Sequence, residues 1–210
     1  MHSWTIIFED TDLLVINKPS GLLSVPGRGP EGAINLTAQV QAQHTGALVV
    51  HRLDMSTSGL MLFALHADAQ RALQRAFERR QVAKRYEAVV QGWLADDEGS
   101  CNAPLRLDWP ARPRQVVDWA GGKPSCTHWR VLQRLGDAAA AQTRMALEPV
   151  TGRSHQLRVH MQTLGHPIIG DELYGTAPGP GERLLLHASK LSLQHPVKGN
   201  TLQFESPPPF

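Results

Sequence analysis

The chain has 210 residues, 41% of them hydrophobic, with 21 Lys and Arg against 19 Asp and Glu, the makeup of a globular protein long enough to bury a sizeable core. No apolar run reaches the roughly 20 residues needed to span a bilayer, and Met1-His2-Ser3-Trp4 lacks the features of a secretory leader. Cys101 and Cys126 form no CxxC, which excludes a zinc ribbon and gives no disulfide framework. The expectation is a cytoplasmic protein without membrane association. A net charge of +2 is too small to mark a nucleic-acid binder by itself.

Thr5–Glu9 and Leu13–Asn17 read as two strands of a hairpin about Asp10-Thr11-Asp12. Lys18-Pro19-Ser20-Gly21 breaks the pattern before the short apolar run Leu22–Val25. Gly27-Arg28-Gly29-Pro30-Glu31-Gly32 matches G-x-G-x-x-G, but Pro26 precedes it, Pro30 lies inside it and no βαβ unit surrounds it, so a flexible loop is expected. Asn35 caps a short helix to about His44, and Leu48–Val50 and Leu60–Leu65 are strands. Asp68 is read as the N-cap of a helix to about Gln81, with Leu73 and Phe77 on one face and Arg71, Arg75 and Arg79 on another. Arg71, Arg75, Arg79, Arg80, Lys84 and Arg85 face only one acid in that stretch, Glu78, so a local basic surface is expected. Lys84–Val90 is an alternating strand ending at Gly92. Residues 96–114, rich in Pro and charge, read as a loop or small excursion. Arg114–Trp119, Thr127–Leu132 and Thr143–Leu147 look like antiparallel strands. Thr151–Met161 opens a helix that stops near Gly165-His166-Pro167, and Leu184–Leu193 and Thr201–Glu205 are strand-like. With few helices and no βα alternation, the chain is α+β on a mixed or antiparallel sheet, and no linker divides it.

His51-Arg52-Leu53-Asp54, followed by Thr57-Ser58-Gly59 and an apolar run from Leu60, puts a carboxylate in a turn directly before a buried strand. A carboxylate so fixed suits catalysis, although it would equally cap the turn. Arg153, His155, Gln156, Arg158 and His160 form a second polar cluster. His155 and His160 are five residues apart, off one helix face, and there is no H-E-x-x-H, so metal is not expected. G-x-S-x-G, S-x-x-K and the P-loop are missing, as is the second Asp-Thr/Ser-Gly loop of an aspartic protease. One held carboxylate, two arginine-bearing segments and a tyrosine strand suit an RNA base: arginines for phosphates, an aromatic ring for the base face, an acid at the sugar or base.

These residues resemble the RluA family of pseudouridine synthases. The resemblance is carried by His51-Arg52-Leu53-Asp54 with Thr57-Ser58-Gly59-Leu60, Asn17-Lys18-Pro19-Ser20-Gly21-Leu22, Lys84-x-Tyr86, and Thr151-Gly152-Arg153-x-His155-Gln156-x-Arg158-x-His160. It continues through Gly165-His166-Pro167-Ile168-x-Gly170-Asp171, Leu186-His187-Ala188 and His195-Pro196. Asp108-Trp109-Pro110 with Arg112-Pro113, and the run Gly152–Met161, carry a narrower resemblance within the family. Many members begin with an S4 RNA-binding domain, but the first strand here starts at about Trp4, so residues 1–210 are expected to be a single catalytic domain with no S4 domain before it.

The resemblance implies an α+β pseudouridine synthase fold, a mixed, mostly antiparallel central sheet with flanking helices and an active-site cleft. It implies a uridine in 23S rRNA and one in the tRNA anticodon stem-loop as targets, with no cofactor, no metal, and action as a monomer. Asp54 is then the catalytic aspartate, attacking C1′ or removing the C2′ proton. Arg153 pairs with that aspartate, and Tyr86 lies against the flipped base. Arg52 fills the space the nucleotide leaves, His51 orients the loop or contacts RNA, and Arg158 and His160 support the fold or touch phosphates. The alternatives are a non-catalytic RNA-binding protein on this fold and a zinc hydrolase built on His155 and His160.

Overall fold

A computed structural model describes residues 3–175 and 182–210. Met1 and His2, the first residues of the segment that lacks leader features, lie outside the described residues. The fold is α+β, with a large, mostly antiparallel sheet and three α-helices among the described residues. Two compact units divide it: residues 1–84 with 187–209, and residues 85–186 with Phe210.

In the first unit β1 (Thr5–Glu9) pairs antiparallel with β2 (Leu13–Lys18). The Asp10 carboxylate makes the turn between them by accepting the N–H groups of Asp12 and Leu13 at 2.9 and 3.0 Å. A short 3-10 turn, Pro30–Ala33, occupies the glycine-rich segment, with no strand before it. Asn35 caps α1 (Leu36–Gln43), its side chain accepting from the Ala38 N–H as expected. β3 (Leu48–Val49) and β2 both pair antiparallel with β4 (Ser58–Ala64), every residue of which is buried. An apolar run covered on both faces has no need to alternate.

α2 spans Ala67–Glu78, and its N-cap is His66 in place of the expected Asp68. The His66 imidazole accepts the Ala69 N–H through Nδ1 and bonds Asp12 through Nε2 at 2.9 Å, while Asp68 sits in the first turn and pairs with Arg71. Leu73 and Phe77 pack with Leu13, Val15, Leu60 and Leu62 into this unit's core.

The second unit is built on β5 (Ala83–Gln91). Residues 96–114 are more ordered than expected, holding β6 (Glu98–Cys101) and β7 (Leu105–Leu107), which pairs with β8 (Gln115–Val117). Next come β9 (Thr127–Leu135) and β10 (Gln142–Pro149), in antiparallel order β5-β10-β9-β6. α3 begins only at Gln156 and runs to Thr163, because His155 before it is left-handed at φ 54°. Leu157 and Met161 of α3 pack on Ala88, Val90, Met145 and Leu147 of the sheet. β11 (Leu186–Gln194) returns to the first unit, pairing parallel with β4 at Ser58 and Gly59 and antiparallel with β12 (Thr201–Glu205). Gly59 is required there: at φ +113° a Cβ would lie 2.4 Å from the Ala188 carbonyl oxygen.

Candidate active site

Asp54, His51 and Arg52 belong to the first unit, and Tyr86, Arg153, Arg158 and His160 to the second. Asp54 is half-buried at the head of a turn closed by the Thr57 N–H donating to its carbonyl at 3.1 Å. The residues around it are gripped through their backbones by the segment that follows β2. Ser24 Oγ donates to the Leu53 carbonyl at 2.6 Å and accepts the Leu53 N–H at 3.1 Å. The Gly21 N–H donates to the Met55 carbonyl at 2.8 Å, and Ser20 Oγ to the Ser56 carbonyl at 2.6 Å. Lys18, 0% exposed, spends its three ammonium protons on the carbonyls of Pro19, Leu22 and Met55 at 2.7–3.0 Å. Ser24 is itself fixed to α1, its carbonyl accepting the Thr37 hydroxyl at 2.7 Å. The carboxylate therefore projects from a backbone held on both sides, the condition for a reacting group to keep its position.

His51 supports the same turn. Its Nε2 accepts the Leu62 N–H at 3.0 Å, which places the proton on Nδ1, and its ring stacks on Phe77 of α2 with centroids 4.7 Å apart. Burial, helped by the Lys84 charge, pushes its pKa down to about 3, so the ring is neutral. Arg52 is exposed beside it.

In the second unit Tyr86 is half-buried on β5, opposite Leu147 of β10 and at the margin of the core. The Thr151–Arg153 segment is organised by Gln156, whose Oε1 accepts from the Thr151 hydroxyl at 2.7 Å and the Arg153 N–H at 3.0 Å. The Arg153 side chain is exposed and donates through Nε to the Pro124 carbonyl at 3.1 Å.

Arg158 and His160 require a correction, since neither is placed to bind RNA. Arg158 is 3% exposed and forms a two-pronged ion pair with the buried Asp171, both bonds at 2.7 Å. His160 is 0% exposed. Its Nε2 bonds the Ala103 carbonyl at 3.0 Å and its Nδ1 the Thr127 hydroxyl at 2.8 Å, and burial lowers its pKa. Both ring nitrogens of His160 are thus engaged, and His155 Nδ1 bonds the Tyr174 hydroxyl at 2.7 Å. Among the described residues, Asp10, Asp12 and His195 do bring ligand atoms within 4.8 Å of one another. Their carboxylates are already engaged, Asp10 by His195 Nε2 at 2.8 Å and the Lys198 ammonium at 3.0 Å, and Asp12 by His66 Nε2 at 2.9 Å. Burial would raise the Asp10 carboxyl, but bonds from the Asp12 backbone, His195 and Lys198 hold it well below the usual carboxylate range. This cluster ties the β1–β2 turn to the end of β11.

Lys18 stood in the sequence within a pattern break and the Asn17–Leu22 family motif, and Ser24 only as a neighbouring small polar residue. Nothing local signals that the Lys18 ammonium is buried.

The architecture is that of solved RNA pseudouridylate synthases. Human RNA pseudouridylate synthase domain containing 1 matches with a TM-score of 0.83 and 30% identity, covering 100% of this chain and 85% of that one. Human RNA pseudouridylate synthase domain containing 4 matches with 0.76 and 26% identity, covering 98% and 88%. Residues 12–163 match the RNA pseudouridylate synthase family, and the chain belongs to it: it is a pseudouridine synthase, an isomerase acting on RNA. Within that family it is 55% identical to the dual-specificity RNA pseudouridine synthase RluA of Vibrio vulnificus over 92% of this chain and 79% of that protein. It is 46% identical to the protein of the same name from Escherichia coli K12 over 98% and 93%.

Proposed function

We propose that the chain converts specific uridines to pseudouridine in both 23S rRNA and the tRNA anticodon stem-loop, with Asp54 as the catalytic carboxylate. The observation that carries the assignment of Asp54 is the backbone grip on residues 53, 55 and 56, which fixes one half-buried carboxylate at the start of a buried strand. The dual target is supported by the naming of the relatives as dual-specificity enzymes.

In the isomerisation the C1′–N1 bond breaks, the C1′–C5 bond forms, C5 gives up its hydrogen as a proton and N1 gains one. No electron acceptor and no external group enters this balance, so the reading requires no cofactor. An anion beside the ribose assists either by attack on C1′ or by removing the C2′ proton. Tyr86 is assigned the face of the flipped uracil, where stacking is worth about 1–3 kcal/mol per base against a few kcal/mol for extrusion. Arg153 is assigned the charge of the aspartate, and Arg52 the space vacated in the RNA. These roles rest on the family resemblance, as does action by a monomer, and the cytoplasm is the compartment expected from the composition. No helix among the described residues is long and apolar enough to cross a membrane.

The test is tritium release from RNA labelled at uracil C5, with tRNA and 23S rRNA transcripts run in parallel. Wild type should release tritium from both, and Asp54→Asn, which keeps the shape and loses the charge, should release none while still binding RNA. Normal turnover by Asp54→Asn would remove the assignment. Release from one transcript alone would reduce the target to that RNA.

A further inference from the structure

α2 ends in an unusual way. The Arg80 N–H donates to the Phe77 carbonyl at 3.1 Å and the Gln81 N–H to the Ala76 carbonyl at 2.9 Å, the paired bonds of a Schellman cap. The left-handed position of such a cap, φ 58° here, ordinarily belongs to glycine, yet it holds Arg80. The Arg80 side chain is exposed. Strain retained where glycine would relieve it points to a use for the side chain.

The neighbourhood adds to this. Arg75 and Arg79 are exposed and one turn apart, about 6 Å along the axis. Among the described residues neither they nor Arg80 has a carboxylate within ion-pair distance, whereas Arg71 is paired with Asp68. Lys84 lies 6.0 Å over the Phe77 ring, and burial together with the Arg80 charge lowers its pKa. Cations gathered this way repel one another, a cost that an anionic partner removes. A helix C-terminus welcomes a cation, but that would be met by Arg75 or Arg79 without straining residue 80. The place is also specific, because Phe77 stacks on His51, three residues before Asp54.

We propose that Arg75, Arg79, Arg80 and Lys84 form a phosphate anchor that holds the RNA strand entering the Asp54 turn. The anchor rests on the synthase reading for the identity of its RNA. Contacts to phosphates position a strand without reading its sequence, so losses should be equal for different stem-loops.

Arg80→Gly separates the anchor from a structural role. It should raise the melting temperature by relieving the strained backbone, and weaken binding of a fluorescein-labelled anticodon stem-loop about fivefold at 0.15 M salt. It should also make the slope of log K against log salt shallower by about 0.7–0.9, the signature of one lost phosphate contact. Arg75→Gln with Arg79→Gln should reduce the slope by about twice that. An unrelated stem-loop should lose as much, and in turnover the loss should appear in KM. Lys190→Gln, an exposed cation paired with Glu205 on β11 and β12, is the control and should leave the slope unchanged. Unchanged slopes in Arg80→Gly and in the double variant would overturn the anchor, as would a loss matched by Lys190→Gln. Wild-type tritium release is measured alongside. Altered slopes with no release from any RNA would keep the anchor and remove the synthase reading.

Discussion

Replacing Ser24 by alanine tests whether the grip on the Asp54 turn positions the carboxylate. Ser24 is 3% exposed and Leu53 6%, and the one hydroxyl satisfies both backbone groups of Leu53, donating at 2.6 Å and accepting at 3.1 Å. Alanine leaves a buried N–H and a buried carbonyl without that partner. At about 1–3 kcal/mol for each unsatisfied group, the local cost of the two is about 2–6 kcal/mol, against about 5–15 kcal/mol for the total stability of a typical domain. The protein should therefore stay folded while the turn loosens. Amide exchange at residues 53–57 should accelerate by at least about tenfold, each 1.4 kcal/mol of lost local stability being a factor of ten. A misplacement of about 1 Å at a reacting group costs about a hundredfold, so single-turnover tritium release should fall by about 10–100-fold with little change in RNA affinity. Ser24→Cys, which keeps a weak donor and acceptor, should fall between the two. Wild-type exchange and a wild-type single-turnover rate in Ser24→Ala would refute the positioning argument.

Arg158→Met strands the buried Asp171 carboxylate and should cost about 3–5 kcal/mol, read as a lowered melting temperature with unchanged RNA affinity for the folded fraction; weakened affinity at unchanged stability would restore Arg158 as an RNA contact. The His51 ring is neutral when folded, with a pKa of about 3 against 6.5 unfolded. The unfolded chain thus takes up the proton first, so this group's contribution is full above pH 6.5 and is lost as pH falls toward 3. Between pH 7.5 and 5.5 the loss is about 1.4 kcal/mol. His51→Gln keeps an acceptor for the Leu62 N–H and cannot titrate, so its stability should drop by about that much less over the interval; equal drops would refute the assignment.

Much of the fold was legible because some signals are local. Asn35 caps α1 through its own side chain, and the run from Leu60 to Ala64 is apolar because both its faces are covered. The Asp54 turn was legible too, since a polar stretch, small turn residues and a buried strand meet there in order. Other features had no local signal. Asp68 has the chemistry of a cap, but His66 takes that place because its second nitrogen is anchored by Asp12, 54 positions away in sequence. β6, with Glu98, Gly99 and Ser100 exposed, lacks the alternation that marks a strand and exists by pairing with β9.

The ordered motifs, the turn that carries Asp54 and the strands that must be buried are properties of residue order, and they assign the class of the protein. What the charged residues do depends on the folded chain. Arg158 and Arg80 look alike in sequence, yet one is 3% exposed against Asp171 and the other is exposed at the strained end of a helix. The difference arises because a charge can enter the interior only where a distant partner meets it, and the partner's position is a property of the folded chain.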